Sequence, residues 1–136
     1  MSAPPSIHLF LGPDTGAPSR ARRAIRSELE SVLEADVLDQ AMLLVSELVT
    51  NSVRHGGLRP DQEIELTVRA SPHHLRVEVA EPGEGFELAS TPLPRRGIPA
   101  GGWGLYLVDR LSSAWGVEGG DVTKVWFELD KLGISG

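Results

Sequence analysis

The fold of this protein is decided by one stretch, which reads Leu43-Leu44-Val45-Ser46-Glu47-Leu48-Val49-Thr50-Asn51-Ser52-Val53-Arg54-His55-Gly56. Its apolar residues recur at the spacing of a helix, and Gly56-Gly57 is a usual signal that ends one. We therefore predict a helix that starts near Asp36, whose side chain can cap the free amides, and that runs to about His55. Because this helix is strongly apolar, its few polar residues stand out as candidates for function.

Glu47 and Asn51 are the polar pair that this helix places together. They lie four residues apart, so they share one face of the helix and stand about 40° apart around its axis. A carboxylate and an amide oxygen on one half-buried stripe are hard-oxygen groups of the kind that a Mg²⁺-nucleotide site uses. From this helix alone, the alternative is that both side chains simply face solvent.

Length and composition favour one globular domain over residues 1–136. The absence of cysteine excludes disulfides and thiolate metal sites, which agrees with a cytoplasmic location. No stretch approaches the roughly 20 apolar residues of a membrane helix, and no secretory signal is found, so we expect no contact with a membrane. The net charge of -6 argues against binding to nucleic-acid phosphates. The expected partner is therefore a protein or a nucleotide.

The remaining elements follow from hydrophobic periodicity and from turn residues. Strands are predicted at residues 7–11, 63–69, 75–79, 115–117 and 122–129, and two further helices at residues 18–34 and 103–114. The strands have one polar face, and the helices are amphipathic. This pattern predicts an α+β fold, a two-layer sandwich in which three helices cover one face of a mixed, mainly antiparallel sheet.

Residues 82–102 form a long loop with a glycine-rich segment at each end, and this length usually indicates a functional or mobile segment. At the start of the loop, Glu81 ends a strand and is followed by Gly83 and Gly85. An acid at this position can accept a hydrogen bond from the amino group of adenine, while glycine lets the backbone approach a ligand closely. At the end of the loop, Gly101-Gly102-Trp103-Gly104-Leu105 leads into a helix whose free amides favour phosphate. In each case, an ordinary turn is the alternative.

Other nucleotide and metal motifs are missing. Residues 12–17 lack the second glycine and the lysine of a P-loop, and neither glycine segment fits the GxGxxG pattern of a Rossmann fold. His73-His74 lie in a turn without HExxH spacing, so a solvated turn is favoured there over a metal site.

Taken together, these features resemble the histidine-kinase-like (GHKL) ATP-binding fold, also known as the Bergerat fold, and within it the bacterial anti-sigma factor serine/threonine kinases. The resemblance runs from about Ile7 to Leu129. Residues 47–56 are similar to the N-box of that group, and residues 81–86 to its DxGxGF box. Residues 102–108, with Leu111 and Trp115-Gly116, resemble the GxGLxLV…WG box, and residues 123–129 resemble the closing GTxVWFEL strand.

The resemblance implies ATP and Mg²⁺ as cofactors. Asn51 would bind Mg²⁺, and Glu47 would be the catalytic base that takes the proton of a serine hydroxyl. Glu81 would bind the adenine amino group, with Thr123 near the base. Gly83 and Gly85 would make room for the base. The backbone amides of Gly102, Gly104 and Leu105 would bind the phosphates. Residues 84–101 would form a mobile lid.

The function that the resemblance implies is an anti-sigma regulator. Such a protein binds Mg-ATP, phosphorylates a serine on a small antagonist protein and sequesters a sigma factor; a homodimer is among its expected assemblies. The alternative is a non-catalytic module of the same fold, in which the nucleotide controls only protein binding. A sensor-kinase ATPase half is disfavoured, because no phosphoacceptor helix precedes residue 18.

Three departures from the family pattern keep the alternative open. The adenine-binding acid is usually Asp, but here it is Glu81. The closing strand usually carries Gly before its Thr, but here Val122 stands there. The Arg that often precedes the second glycine box is replaced by Ala100-Gly101, although Arg95 and Arg96 lie nearby in the lid.

Four arginines, Arg20, Arg22, Arg23 and Arg26, crowd the first predicted helix near its start, where the helix dipole disfavours positive charge. We interpret them as a solvated face, with a contact surface for an acidic partner as the alternative.

Overall fold

The computed structural model describes residues 6–55, 57–82 and 103–131. Every helix and strand that the sequence predicts is present. In chain order the elements are β1 (Ser6–Leu11), α1 (Ala17–Leu29), α2 (Ala35–His55), β2 (Ile64–Ala70), β3 (His74–Pro82), α3 (Trp103–Leu111), β4 (Ala114–Glu118) and β5 (Val122–Asp130).

The five strands form one sheet in the order β1-β2-β3-β5-β4. Each neighbouring pair is antiparallel, so the sheet of the described residues is antiparallel throughout rather than mixed. Strand β5 lies between β3 and β4 because the chain leaves β3, passes through α3 and returns to the far edge of the sheet. This return places the ends of β3 and β5 side by side, with Glu81 opposite Thr123.

The three helices cover one face of the sheet, which confirms the predicted α+β fold. Alternate residues of β2, such as Ile64, Leu66 and Val68, are buried beneath the helix layer. Helix α2 packs against α1 on one side and α3 on the other, and it contacts β3 and β5 below. Helix α2 therefore lies centrally over the sheet, with its polar side chains close to the strand ends.

The opposite face of the sheet carries a charged network. Arg76 donates hydrogen bonds to Glu78 and to Glu128, and Lys124 lies 3.5 Å from Glu78. The guanidinium of Arg76 also stacks over the ring of Trp126, 4.2 Å from its centre. Among the described residues, this face thus carries salt bridges and ring stacking, and the helices lie on the other face.

Two helices end earlier than their periodicity predicts. Helix α1 ends at Leu29 rather than near residue 34, because the amides of Val32 and Leu33 both bond to the Leu29 carbonyl and tighten the chain into a turn. Helix α3 ends at Leu111 rather than near residue 114. The backbone amide and hydroxyl of Ser113 bond to the carbonyl of Glu128, and this draws the chain into the sheet.

The start of α2 differs by one residue from the prediction. The helix begins at Ala35, and the carbonyl of Glu34 accepts the amide of Leu38. Asp36 therefore lies within the first turn rather than at the cap, where its charge still interacts favourably with the helix dipole. After the helix, Gly57 adopts a φ of 66°, as expected for a glycine that redirects the chain at a helix end. No helix in the described ranges is long and apolar enough to cross a membrane.

Candidate functional site

Helix α2 supplies the first part of the candidate site from its last two turns. Asn51 and Ser52 are 6% and 3% exposed, although both are polar. Glu47, one turn earlier, is half-buried. The solvent-facing alternative is therefore wrong for Asn51, whose amide lies inside the fold.

Strands β3 and β5 supply the second part. Glu81 continues the inward-facing row of Leu75, Val77 and Val79, and it is 3% exposed. Thr123 begins the equivalent row of β5 and is equally buried. Because these two residues are register partners, their side chains stand side by side, about 5 Å apart at Cβ, beneath the end of α2.

A hydrogen bond joins the two parts. The hydroxyl of Ser52 donates to Oε1 of Glu81 over 2.6 Å. Sequence reasoning missed Ser52, since nothing in a single sequence shows which side of α2 meets the end of β3.

Two polar atoms in this cluster are buried and have no hydrogen-bond partner among the described residues: Nδ2 of Asn51 and Oε2 of Glu81. Orphaned buried groups are rare in folded proteins because each loses its hydration without compensation. One is a donor and the other an acceptor, so they fit a ligand that carries both kinds of group. A nucleotide does, with phosphate oxygens to accept and a base amino group to donate.

Burial also affects the charge state of the site. It raises the pKa of the Glu81 carboxyl, and the bond from Ser52 offsets part of that rise. The carboxyl is thus held in a low-dielectric environment in which a hydrogen bond from a ligand has a large effect.

Helix α3 supplies a third part. Gly104 and Leu105 lie in its first turn, which carries no acidic side chain, and Leu105 is 2% exposed. The free amides of this turn keep the partial positive charge of a helix N-terminus. Helix α3 packs against α2, so this charge lies on the same layer as Asn51.

Several predicted site residues fall outside the described residues. They are Gly83, Gly85, Gly102, the lid over residues 84–101 and, within it, Arg95, Arg96 and Ala100. Their roles stay predictions.

The arginines of α1 divide into two groups. Arg20 pairs with Asp14 at 3.0 Å, and Arg22 donates to the hydroxyl of Ser46 on α2 at 2.6 Å. Arg23 and Arg26 make no ion pair within the described part of the chain, and together with Arg22 and Ser19 they line a groove beside Met42. Both interpretations of this face stay open.

The chain is thus an α+β domain in which the end of one helix lies over two adjacent strand ends, with buried polar side chains between the layers. The family model of the histidine kinase-like ATPase domain matches residues 14–129, and the chain belongs to this family. Membership implies that the chain binds ATP. No curated protein matches the sequence significantly.

Among solved structures, the fold is similar to that of the RsbU and RsbW domains of Rv1364c from Mycobacterium tuberculosis, with a TM-score of 0.70 and 20% sequence identity. The match covers 92% of this chain and 31% of the other, so the chain spans about a third of that protein. At this identity the similarity establishes the shared fold.

Proposed function

We propose that this chain is a cytoplasmic regulator of the anti-sigma kinase type, which binds Mg-ATP, phosphorylates a serine on a small antagonist protein and sequesters a sigma factor. The observation that carries the proposal is that Nδ2 of Asn51 and Oε2 of Glu81 are buried without a hydrogen-bond partner among the described residues. A structural protein gains nothing from burying such a donor and acceptor, whereas a nucleotide can satisfy both. The similarity of residues 47–56 and 123–129 to the anti-sigma kinase motifs supports the narrower assignment.

The side chains present fit the two cofactors. The Oδ1 of Asn51 is a hard oxygen suited to Mg²⁺, and its orphaned Nδ2 can donate to a phosphate oxygen. Phosphate oxygens and waters would be the other ligands of Mg²⁺. Bound Mg-ATP would supply the γ-phosphoryl group that is transferred.

Glu47 is the proposed general base for that transfer. It lies one turn before Asn51 on the same face of α2, and it is half-buried, so it stays accessible to an incoming protein. The serine oxygen of the antagonist attacks the γ-phosphorus, the bond from that phosphorus to the β–γ bridging oxygen breaks, and ADP leaves. The proton of the serine hydroxyl passes to the Glu47 carboxylate.

The second candidate is a module that binds nucleotide without phosphoryl transfer. It is favoured by the departures at Glu81, Val122 and Ala100-Gly101. Val122 occupies the usual glycine position, where it is 47% exposed and pairs with Pro82. Both candidates need nucleotide binding, and they differ only in the chemistry that follows.

The deciding experiment is a comparison of ATP and ADP affinity with and without Mg²⁺, followed by incubation of the chain with ATP and each protein encoded beside it. Mass spectrometry then identifies any phosphorylated serine. Mg²⁺-dependent ATP binding with phosphoserine on one of these proteins supports the kinase. Binding without phosphoserine on any of them supports the module, and failure to bind ATP contradicts both.

A further inference from the structure

Ser52 donates a hydrogen bond to the Glu81 carboxyl. Its hydroxyl lies on α2, in the helix layer, whereas Glu81 ends β3 in the sheet. The bond therefore links the two layers at the site, and both side chains are 3% exposed. Only Oε1 takes part in this bond, whereas Oε2 is buried and has no hydrogen-bond partner among the residues that the structure describes.

A glutamate at this position needs such a bond more than an aspartate would. Its side chain has one more rotatable bond, so its carboxyl can reach more positions, and ordering it costs more rotamer entropy. A hydrogen bond is also sensitive to a few tenths of an ångström in length. With Oε1 tied to α2, the direction of Oε2 is fixed as well, because both oxygens belong to one planar group.

We propose that Ser52 is a positioning residue for base recognition: by holding Oε1 of Glu81, it aims Oε2 at the exocyclic amino group of a 6-aminopurine. The inference rests on the proposed nucleotide site and deepens it. Ser52 then sets the preference of the site for ATP over a nucleotide that lacks a donor at that position. A 6-oxopurine would place its keto oxygen, an acceptor, against Oε2 of Glu81, which is also an acceptor. The site therefore rejects a 6-oxopurine as well.

Three nucleotides test the inference: ATP, inosine triphosphate and purine riboside triphosphate, which has hydrogen in place of the amino group. Their affinities for the full chain are measured by titration calorimetry with Mg²⁺. Ser52→Ala is expected to weaken ATP binding by about tenfold, as for the loss of one hydrogen bond. The affinity for purine riboside triphosphate should stay the same, so the preference for ATP should fall by the same factor. Ser52→Thr keeps the hydroxyl and should retain most of that preference.

Ser46→Ala is the matched control. This variant makes the same chemical change on the same helix and removes the 2.6 Å hydrogen bond that Arg22 donates to Ser46. The Ser46 hydroxyl does not contact Glu81. It should leave the ATP preference unchanged. In a Glu81→Ala background, Ser52→Ala should have no further effect on the preference, since the carboxyl that it positions is gone.

The outcomes separate cleanly. A wild type that binds none of the three nucleotides contradicts the proposed function itself. A wild type that binds them equally, or a Ser52→Ala variant that weakens all three by one factor, overturns the role of Ser52 and leaves nucleotide binding intact. If Ser52→Ala fails to fold, Ser52→Cys replaces it, because a thiol of similar size is a poor donor and should give the same selective loss.

Discussion

Asn51 has a buried side-chain amide whose nitrogen finds no hydrogen-bond partner in the described part of the chain. Asn51→Ala should weaken Mg-ATP binding by about tenfold or more, because the variant loses both the metal ligand and the donor to phosphate. Since the lost nitrogen is unsatisfied, the free energy of unfolding should not fall. Calorimetric titration with and without Mg²⁺ measures the first effect, and denaturant unfolding measures the second.

A matched control for Asn51 is Thr50→Ala, its half-buried neighbour on α2. It should leave the Mg²⁺-dependent part of ATP binding unchanged. If Asn51→Ala keeps that part as well, the assignment of Asn51 to the metal is wrong.

Glu47 tests catalysis rather than binding. Glu47→Gln keeps the size and the hydrogen-bonding capacity of the side chain but cannot accept a proton. ATP affinity should therefore stay within experimental error, while the rate of phosphoryl transfer falls by about 10²–10⁴-fold. Single-turnover transfer of labelled phosphate to the antagonist gives the rate, and an undiminished rate would exclude Glu47 as the base.

At the scale of elements, β4 and β5 fit together through a glycine. A Cβ added to Gly116 would lie 2.7 Å from Nε1 of Trp126, its register partner, and 2.9–3.0 Å from two ring carbons. The ring cannot move aside easily, because Arg76 stacks on it and is itself held by Glu78 and Glu128. The absence of a side chain at position 116 thus lets the indole lie flat on the edge strand.

Gly116→Ala should destabilise the fold by about 1–3 kcal/mol, the usual range for overpacking. Denaturant unfolding measures the loss, and the double variant Gly116→Ala/Trp126→Leu provides the control. If the ring is the obstacle, adding Ala at position 116 to the Trp126→Leu protein should cost much less than adding it to the wild type. Equal costs in both proteins would show that the backbone, not the indole, resists the change.

At the scale of the whole molecule, the buried carboxyl links stability to pH. Burial raises the pKa of Glu81 above its ordinary value of 4.5, with the Ser52 hydroxyl opposing part of the rise. Between the ordinary pKa of the unfolded state and the raised pKa of the folded state, the folded protein holds more protons than the unfolded one. The free energy of unfolding therefore falls as the pH rises through that window. Glu81→Gln has no proton to lose and should lack this contribution.

The free energy of unfolding of Glu81→Gln and of the wild type is measured from about pH 4 to about pH 8. The difference between them should shift in favour of the variant as the pH rises. It should level off above the pKa of Glu81 in the folded state. Glu78 acts in the opposite direction. Burial raises the pKa of Glu78, but Arg76 and Lys124 outweigh burial and lower it. The contribution of Glu78 to the free energy of unfolding is therefore lost as the pH falls. This loss is common to both proteins and cancels in the difference. A difference that stays flat with pH would contradict a raised pKa at Glu81.

The sequence alone determined the elements and the family of this protein. The hydrophobic period of two residues in a strand and of 3.6 residues in a helix is a local property. The segments β2, β3 and α2 could therefore be located from their own residues. The motif at residues 47–56 indicated a nucleotide site. Helix ends were less certain, because the end of α3 depends on a bond from Ser113 to Glu128, which is distant in sequence.

Only the tertiary structure decided how the site is assembled. Strand order is set by long-range pairing, and it is the pairing of β3 with β5 that places Glu81 beside Thr123. Ser52 could not be identified from its neighbours, because its partner lies 29 residues away on another layer. Local spacing fixes which residues share a face of one element. The contact of that face with another element depends on packing of the whole chain, and the Ser52–Glu81 bond exists only there.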